Sequence, residues 1–463
     1  MKDVPGFQYR GGVLHADDVP VPAIAEAAGT PTYIYSATAV RNAYRRLEKA
    51  FSPLGVKFQY AVKSSPNTHL CRLLHELGAG MDVVSGGELD RAWLAGAPTK
   101  DMVFAGVGKT DEEIKAALDG RFHGLEGVPD LASRKPEERG PVGILNAEST
   151  SELERIAYWG RQLGVTPRVC LRVNPDVDPH SHEYTTTGKE ENKFGMDAPF
   201  IPDIFDKFDG EGVALVGLHV HIGSPVPQVG PYKESVEVLL RLVDEIESRG
   251  HNIEVLDLGG GWPINYTEDE VPPLEDYAAG LIPLLSDRVA NGLQILMEPG
   301  RSIMANSGIL VARVQHVKKG RAKTFVICDA GMHSMIRPAL YRAYHFVWPV
   351  NWSGETPRFV ERQDLPGLEP CDLVGPICET GDFLARDRAL PPMKRGDLVA
   401  MFSAGAYGMS MVSNYNDHGR PAEVLVDGDR AIMINERQPL ATVLATERVA
   451  RELELSHETL EVR

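Results

Sequence analysis

The sequence has few cysteines: five in 463 residues, at Cys71, Cys170, Cys328, Cys371 and Cys378. The number is odd and no CxxC pair occurs, which argues against a disulfide framework or a cysteine-rich zinc site and fits a reducing compartment. No apolar run approaches the roughly 20 residues needed to span a bilayer, and the MKDVPGFQYR start lacks the apolar segment of a signal peptide. Positive charge is also short: the formal net charge is −17, with acidic residues spread along the chain. Such a field disfavours a nucleic-acid or anionic-membrane surface. With 43 % hydrophobic residues, the chain is long enough for two cores. The expectation is a soluble cytoplasmic protein of two domains.

What the chain does contain is a repeated unit from about residue 55 to 300: a short β-rich run followed by a segment of helical spacing. The runs are KFQYAVK (57–63), MDVVS (81–85), MVFAG (102–106), VGILNAE (142–148), RVCLRVN (168–174), ALVGLHVHIGS (214–224), EVLDLGG (254–260) and ILMEPGR (295–301). Continuous apolar stretches of this kind read as parallel strands covered on their faces. Segments such as SELERIAYWGRQLG (151–164) and ESVEVLLRLVDEIESRG (234–250) carry apolar residues at three- and four-residue intervals. Eight such strand–helix units match a (β/α)8 TIM barrel rather than an open doubly wound sheet. The polar stretch 121–141, with three prolines and three glycines, reads as a surface insertion.

After residue 305 the runs ILVARVQHVKK, TFVICDA, DLVAMFSA, AEVLVDG and AIMINE have strand character, and TPTYIYS (30–36) resembles them. The expected organisation is α/β: residues 1–36 open a β-rich domain, residues 37–305 form the barrel, and residues 306–463 complete a C-terminal β domain of barrel or sandwich type.

Active sites of such barrels lie at the C-terminal strand ends. Those ends hold Lys63, His221 with Ser224, Gly259 to Gly261, and Glu298 with Gly300 and Arg301. Taken alone, Lys63 reads as a lysine snorkelling at a strand edge; a partly buried lysine is also what Schiff-base formation needs. The glycine triplet exposes amides and lets the chain approach a phosphate closely. Ser224 and Arg301 at neighbouring ends strengthen that reading. Glu298 is either a partner of Arg301 at the rim or a carboxylate beside a pyridine nitrogen, where it keeps an electron sink protonated. His219 and His221 alternate along one strand, so one of them at most is expected at the site. No acidic or cysteine partner lies near this HxH pair in sequence, so no metal is expected there. GVGKT (106–110) imitates the end of a P-loop but lacks its first glycine. The sequon at Asn265–Thr267 is discounted because nothing directs the chain to secretion.

The ordered series YAVKSSPN, MDVVSGGEL, HVHIGS, LDLGGGW, EPGR, GPICETGD and GAYGMSMVSNYN resembles the fold-type III pyridoxal-phosphate decarboxylases over nearly the whole chain. TGKEENKFGM (187–196) and MIRPALY (335–341) are most similar to its diaminopimelate decarboxylase branch. The resemblance implies that Lys63 carries pyridoxal 5'-phosphate, that His221 stacks on its ring, and that Glu298 pairs with its nitrogen. It places Ser224, Gly259, Gly260, Gly261, Gly300, Arg301 and Tyr407 around the phosphate or substrate. Arg301, Arg337 and Tyr341 would hold the substrate's carboxylate and flanking polar groups, and Glu379 its distal ammonium. Cys378 would reprotonate the carbanion, reaching the site of a partner subunit, which implies a homodimer. Diaminopimelate carries a second amino-acid head, for which an arginine and a glutamate are a natural pair. The rival expectations are a decarboxylase of D-ornithine, D-lysine or arginine, or a catalytically silent homologue.

Overall fold

The computed structural model describes residues 6–120, 133, 139–179, 182–189, 191–268, 271–355, 357–361 and 363–447. The expected 121–141 insertion falls outside them, except for Ser133 and residues 139–141.

The eight expected strands are all present: β1 (Lys57–Ala61), β2 (Gly80–Val83), β3 (Met102–Phe104), β4 (Ile144–Ala147), β5 (Arg168–Asn174), β6 (Ala214–His219), β7 (Val255–Asp257) and β8 (Gln294–Met297). Each pairs in parallel with the next, and β8 pairs with β1, so the sheet closes into a barrel. Helices connect the strands on the outside, and hydroxyl side chains start several of them. Ser85 and Ser149 accept from the amides of Glu88 and Glu152, and Thr110 and Glu113 cap each other's backbone.

Side chains alternate across a strand with period two, and this decides what the barrel holds. Val103, Ile144, Cys170, Val216, Val255 and Leu296 form one buried apolar layer inside it. Two residues further along β4, β5, β7 and β8 stand Asn146, Arg172, Asp257 and Glu298, all buried. The rung toward the C-terminal ends is therefore polar, directly above a dry floor. Outward-facing residues such as Tyr60, Met81, Leu171 and Ile295 belong to the main core beneath the helices.

The second domain is one nine-stranded sheet. Its long strand Gly308–Lys319 runs antiparallel to the early strand Thr32–Ser36, which pairs on its other side with Ala422–Asp427 in parallel. Thr324–Cys328, Leu398–Met401 and Arg430–Asn435 appear where the sequence pattern places them. Three strands had no such signal: Val347–Pro349, Glu369–Val374 and Phe383–Leu390. Proline or alternating charge interrupts each one. A small meander, Phe7–Arg10, Val13–Ala16 and Val19–Pro20, also went unanticipated. No described helix is long and apolar enough to cross a membrane, and all five cysteines are free, with only Cys378 exposed.

Trp262, which follows the glycine triplet, anchors the packing below the site. Its ring stacks on Tyr232 at 4.4 Å and meets Phe51 at 5.4 Å. Trp262→Ala is expected to cost about 3–5 kcal/mol, measured by urea unfolding. A loss below about 1 kcal/mol would show that the indole carries little of this packing.

Candidate active site

Strand β1 ends in a single tight turn, Val62–Ser64, which brings Lys63 over the polar rung. Its Nζ donates to Asp82 Oδ2 of β2 at 2.5 Å. Asp82 is fully buried, whereas the lysine side chain keeps 30 % of its surface open. Burial and then Glu298's charge push the Asp82 carboxyl up to about 7, with Lys63 opposing them. For Lys63, burial favours the neutral amine, but Asp82 and Glu298 outweigh it and raise its pKa. The lysine thus sits as an ammonium facing a carboxylate that accepts protons near neutral pH.

Glu298, just past β8, is buried beside His219, whose Nε2 lies 3.4 Å from Oε1. Burial disfavours its charge, yet His219 and Lys63 together hold the carboxyl below its ordinary range. The rim pair of Glu298 with Arg301 is not formed. The expectation that one histidine at most reaches the site also fails. Residues two apart along a strand share a face, and both rings act on Glu298. His221 is held by its carbonyl, which accepts from Arg172 Nη2 at 3.2 Å and Thr187 Oγ1 at 2.7 Å. Arg172 in turn donates to Glu148 Oε1 at 2.5 Å. Burial and the Arg172 charge keep the His221 ring neutral, well below its ordinary pKa.

The glycine run is shaped by close backbone approach. A Cβ on Gly260 would come within 2.4 Å of the Glu298 carbonyl, and one on Gly261 within 2.2 Å of the Gly223 carbonyl. Gly259 and Gly261 also have φ of +65° and +91°, which favours glycine. Gly300 packs its Cα against Ala61 and Ser64 beside Lys63. Arg301, buried, donates to Ser224 Oγ from Nε and Nη2 at 3.3 and 3.2 Å. Its guanidinium also lies 4.9 Å from the Tyr407 ring. The Tyr407 amide donates to the Ser64 carbonyl at 2.7 Å, tying the β domain to the turn that carries Lys63.

A second arginine completes this wall. Arg337 is buried at the start of the helix Arg337–Tyr341, its guanidinium 5.6 Å from the Tyr341 ring. Tyr266 joins the two arginines: its hydroxyl accepts from Arg301 Nη1 at 2.8 Å and Arg337 Nη2 at 3.2 Å. His345 Nδ1 lies 3.0 Å from the Phe402 carbonyl, which leaves Nε2 to accept from Arg337 Nε at 3.4 Å. Among the described residues neither arginine forms an ion pair.

Cys378 and Glu379 stand apart from these groups. Both are exposed, on the loop after strand Glu369–Val374, and Glu379 accepts a hydrogen bond from Tyr415. Asp382 clamps that loop, its two oxygens accepting from the amides of Met332 and Ile377 at 2.6 Å each. GVGKT also has a structural use. Lys109 is buried, donating to the carbonyls of Gly106 and Asn146 and to Glu152.

The sequence signals considered did not single out Asp82, Arg172, Glu148, Asp257, Tyr266 or His345, and of the histidine pair only His221 was assigned a role. The charged residues among them do carry a signal, since each interrupts or ends an otherwise apolar strand. Tyr266 lay inside the discounted sequon, and His345 has no local pattern.

These features fit a pyridoxal phosphate: an amine at the strand end, a carboxylate and a neutral imidazole facing it, and an arginine–serine–glycine cradle. Buried groups in this site also set its acid behaviour. Burial, followed by the Arg337 charge, pulls His345 down to about 3. The unfolded chain, with an ordinary histidine, then binds the extra proton first, so stability present above pH 6.5 is lost as the pH falls. We expect the stability gap between the parent protein and His345→Gln to narrow by about 2 kcal/mol from pH 6.5 to 5. Denaturant titrations at both pH values measure it, and a constant gap contradicts the assignment.

Comparison with known proteins agrees with this geometry. Residues 37–305 match the family model of the pyridoxal binding domain of pyridoxal-dependent decarboxylases. A diaminopimelate decarboxylase of Aquifex aeolicus is 41 % identical over 94 % of this chain and 95 % of its own. The solved diaminopimelate decarboxylase of Helicobacter pylori, complexed with L-lysine, superposes with a TM-score of 0.79 at 32 % identity, covering 92 % of this chain and 98 % of that one. The M. jannaschii enzyme, also in complex with L-lysine, gives 0.82 at 33 % identity, covering 96 % and 98 %. The closed barrel, the lysine-bearing strand end and these relatives together establish that the chain belongs to the diaminopimelate decarboxylase family of pyridoxal-dependent decarboxylases.

Proposed function

We propose that this chain removes one carboxylate from meso-diaminopimelate, giving L-lysine and CO2, in a cytoplasmic homodimer. The observation that carries the substrate assignment is Arg337. A buried guanidinium without a carboxylate partner is costly, and Arg301 is already committed to Ser224 beside the glycine cradle. Arg337 is left as the cation for a second carboxylate, distant from the reacting carbon. A simple diamine precursor has no such group. Two solved relatives carry L-lysine, the product this reaction would give.

Bound pyridoxal phosphate supplies an electron sink for the charge left on the α-carbon when CO2 departs. The chain's residues do the rest. Lys63 Nζ would hold the group, with Asp82 as acceptor of the lysine's proton. Glu298, kept ionised, would accept a hydrogen bond from the ring nitrogen. His221, its backbone fixed by Arg172 and Thr187, would face the ring. Ser224, Arg301 and the amides of Gly259 to Gly261 would hold the phosphate, with Tyr407 against the arginine. Arg337 and Tyr341 take the distal carboxylate. In the dimer, the loop clamped by Asp382 brings Glu379 to the distal ammonium and Cys378 Sγ to the α-carbon, where the thiol donates the final proton.

CO2 release from meso-diaminopimelate, L-lysine, D-lysine, L-ornithine, D-ornithine and L-arginine tests the reading. Release from diaminopimelate alone is expected. Arg337→Leu should lower kcat/KM roughly 10- to 100-fold, the worth of charge-assisted hydrogen bonds. Equal turnover of a diamine precursor would instead move Arg337 out of the substrate site.

A further inference from the structure

His219, Asp257 and Glu298 stand side by side on the polar rung, at the ends of β6 and β7 and just past β8, and all are buried. One nitrogen or oxygen from each lies within 4.8 Å of the others. The acidic partners that the HxH pair lacks in sequence are thus delivered by two other strands. The Gly259 amide donates to Asp257 Oδ1 at 3.0 Å. Among the described residues, Asp257 Oδ2, Glu298 Oε1 and both His219 nitrogens have no conventional hydrogen-bond partner. The other ionisable groups facing the cluster are Asp82 from β2, Cys170 from β5, Lys63 beyond β1 and His221 beyond β6.

Two carboxyls in one dry pocket share a proton rather than both ionise. Their surroundings decide which one keeps it. For Asp257, burial followed by the Glu298 charge pushes the carboxyl far above the ordinary range. Glu298 is opposed by His219 and Lys63 and stays ionised.

We propose that Asp257 is kept as a neutral acid and, with His219, positions Glu298 as the anion that meets the ring nitrogen of the cofactor. This rests on the assignment of Glu298 to that nitrogen in the proposed function. One proton resides on Asp257, whose O–H points to a Glu298 oxygen. The second Glu298 oxygen is then free for the ring N–H. Asp257 and His219 act only through Glu298 and touch no reacting atom.

The test is infrared spectroscopy of the pyridoxal-phosphate-loaded protein at pH 8. The C=O stretch of a neutral carboxylic acid is expected, shifted by carboxyl-13C aspartate labelling and absent in Asp257→Asn. The labelling arm needs no variant and holds even if the variant folds poorly. In protein loaded with ring-15N pyridoxal phosphate, the nitrogen shift should be that of the protonated ring. Asp257→Ala should lower kcat roughly 10- to 100-fold, and Asp257→Asn, which keeps an N–H donor, should recover at least tenfold of it. Absence of an aspartic-acid band, or a stoichiometric divalent cation in the purified protein, overturns the proposal. The infrared band does not depend on turnover, so failure to decarboxylate diaminopimelate would count against the proposed function alone.

Discussion

Withdrawing Lys63, Asp82, Arg172 and Glu298 from water costs several kcal/mol per ion unless each is opposed. The C-terminal rung of the barrel is built to oppose them. Lys63 faces Asp82 at 2.5 Å, Arg172 faces Glu148 at 2.5 Å, and Glu298 faces His219 at 3.4 Å. The apolar layer two residues earlier on the same strands shuts water out from below. A low-dielectric floor strengthens every charge interaction above it. That is why Asp82 is pushed up to about 7 while Glu298 in the same pocket stays ionised.

The wall formed by Arg301 and Arg337 obeys a different rule. Its charges are opposed by tyrosine hydroxyls and aromatic faces rather than by carboxylates. Tyr266 binds both guanidinium groups, and Tyr407 and Tyr341 lie against them. Such contacts hold an arginine in place without neutralising it. The wall therefore remains attractive to anions.

The barrel was legible because its strands are short apolar runs at regular intervals, and the candidate residues because they sit where those runs end. Lys63, Ser224, Glu298 and Arg301 could be found by that rule alone. Val347–Pro349, Glu369–Val374 and Phe383–Leu390 could not, because proline, acidic residues or alternating charges break the apolar signal in each. Asp82 and Asp257 carry a signal that is easily overlooked. Each is a single polar residue inside a strong apolar run, and its neighbours across the barrel come from distant parts of the chain. The paired histidines were misjudged because residues two apart on a strand share a face, so His219 and His221 can both turn toward the site. His345 and Tyr266 lie in irregular segments, where no period exists to read.

Everything above turns on Lys63 being the residue that holds pyridoxal phosphate. Borohydride reduction of the loaded protein, followed by proteolysis and mass spectrometry, tests it most directly. A single pyridoxyl adduct is expected on the peptide that contains Lys63, and none after Lys63→Ala. An adduct on another lysine, Lys109 included, would contradict it.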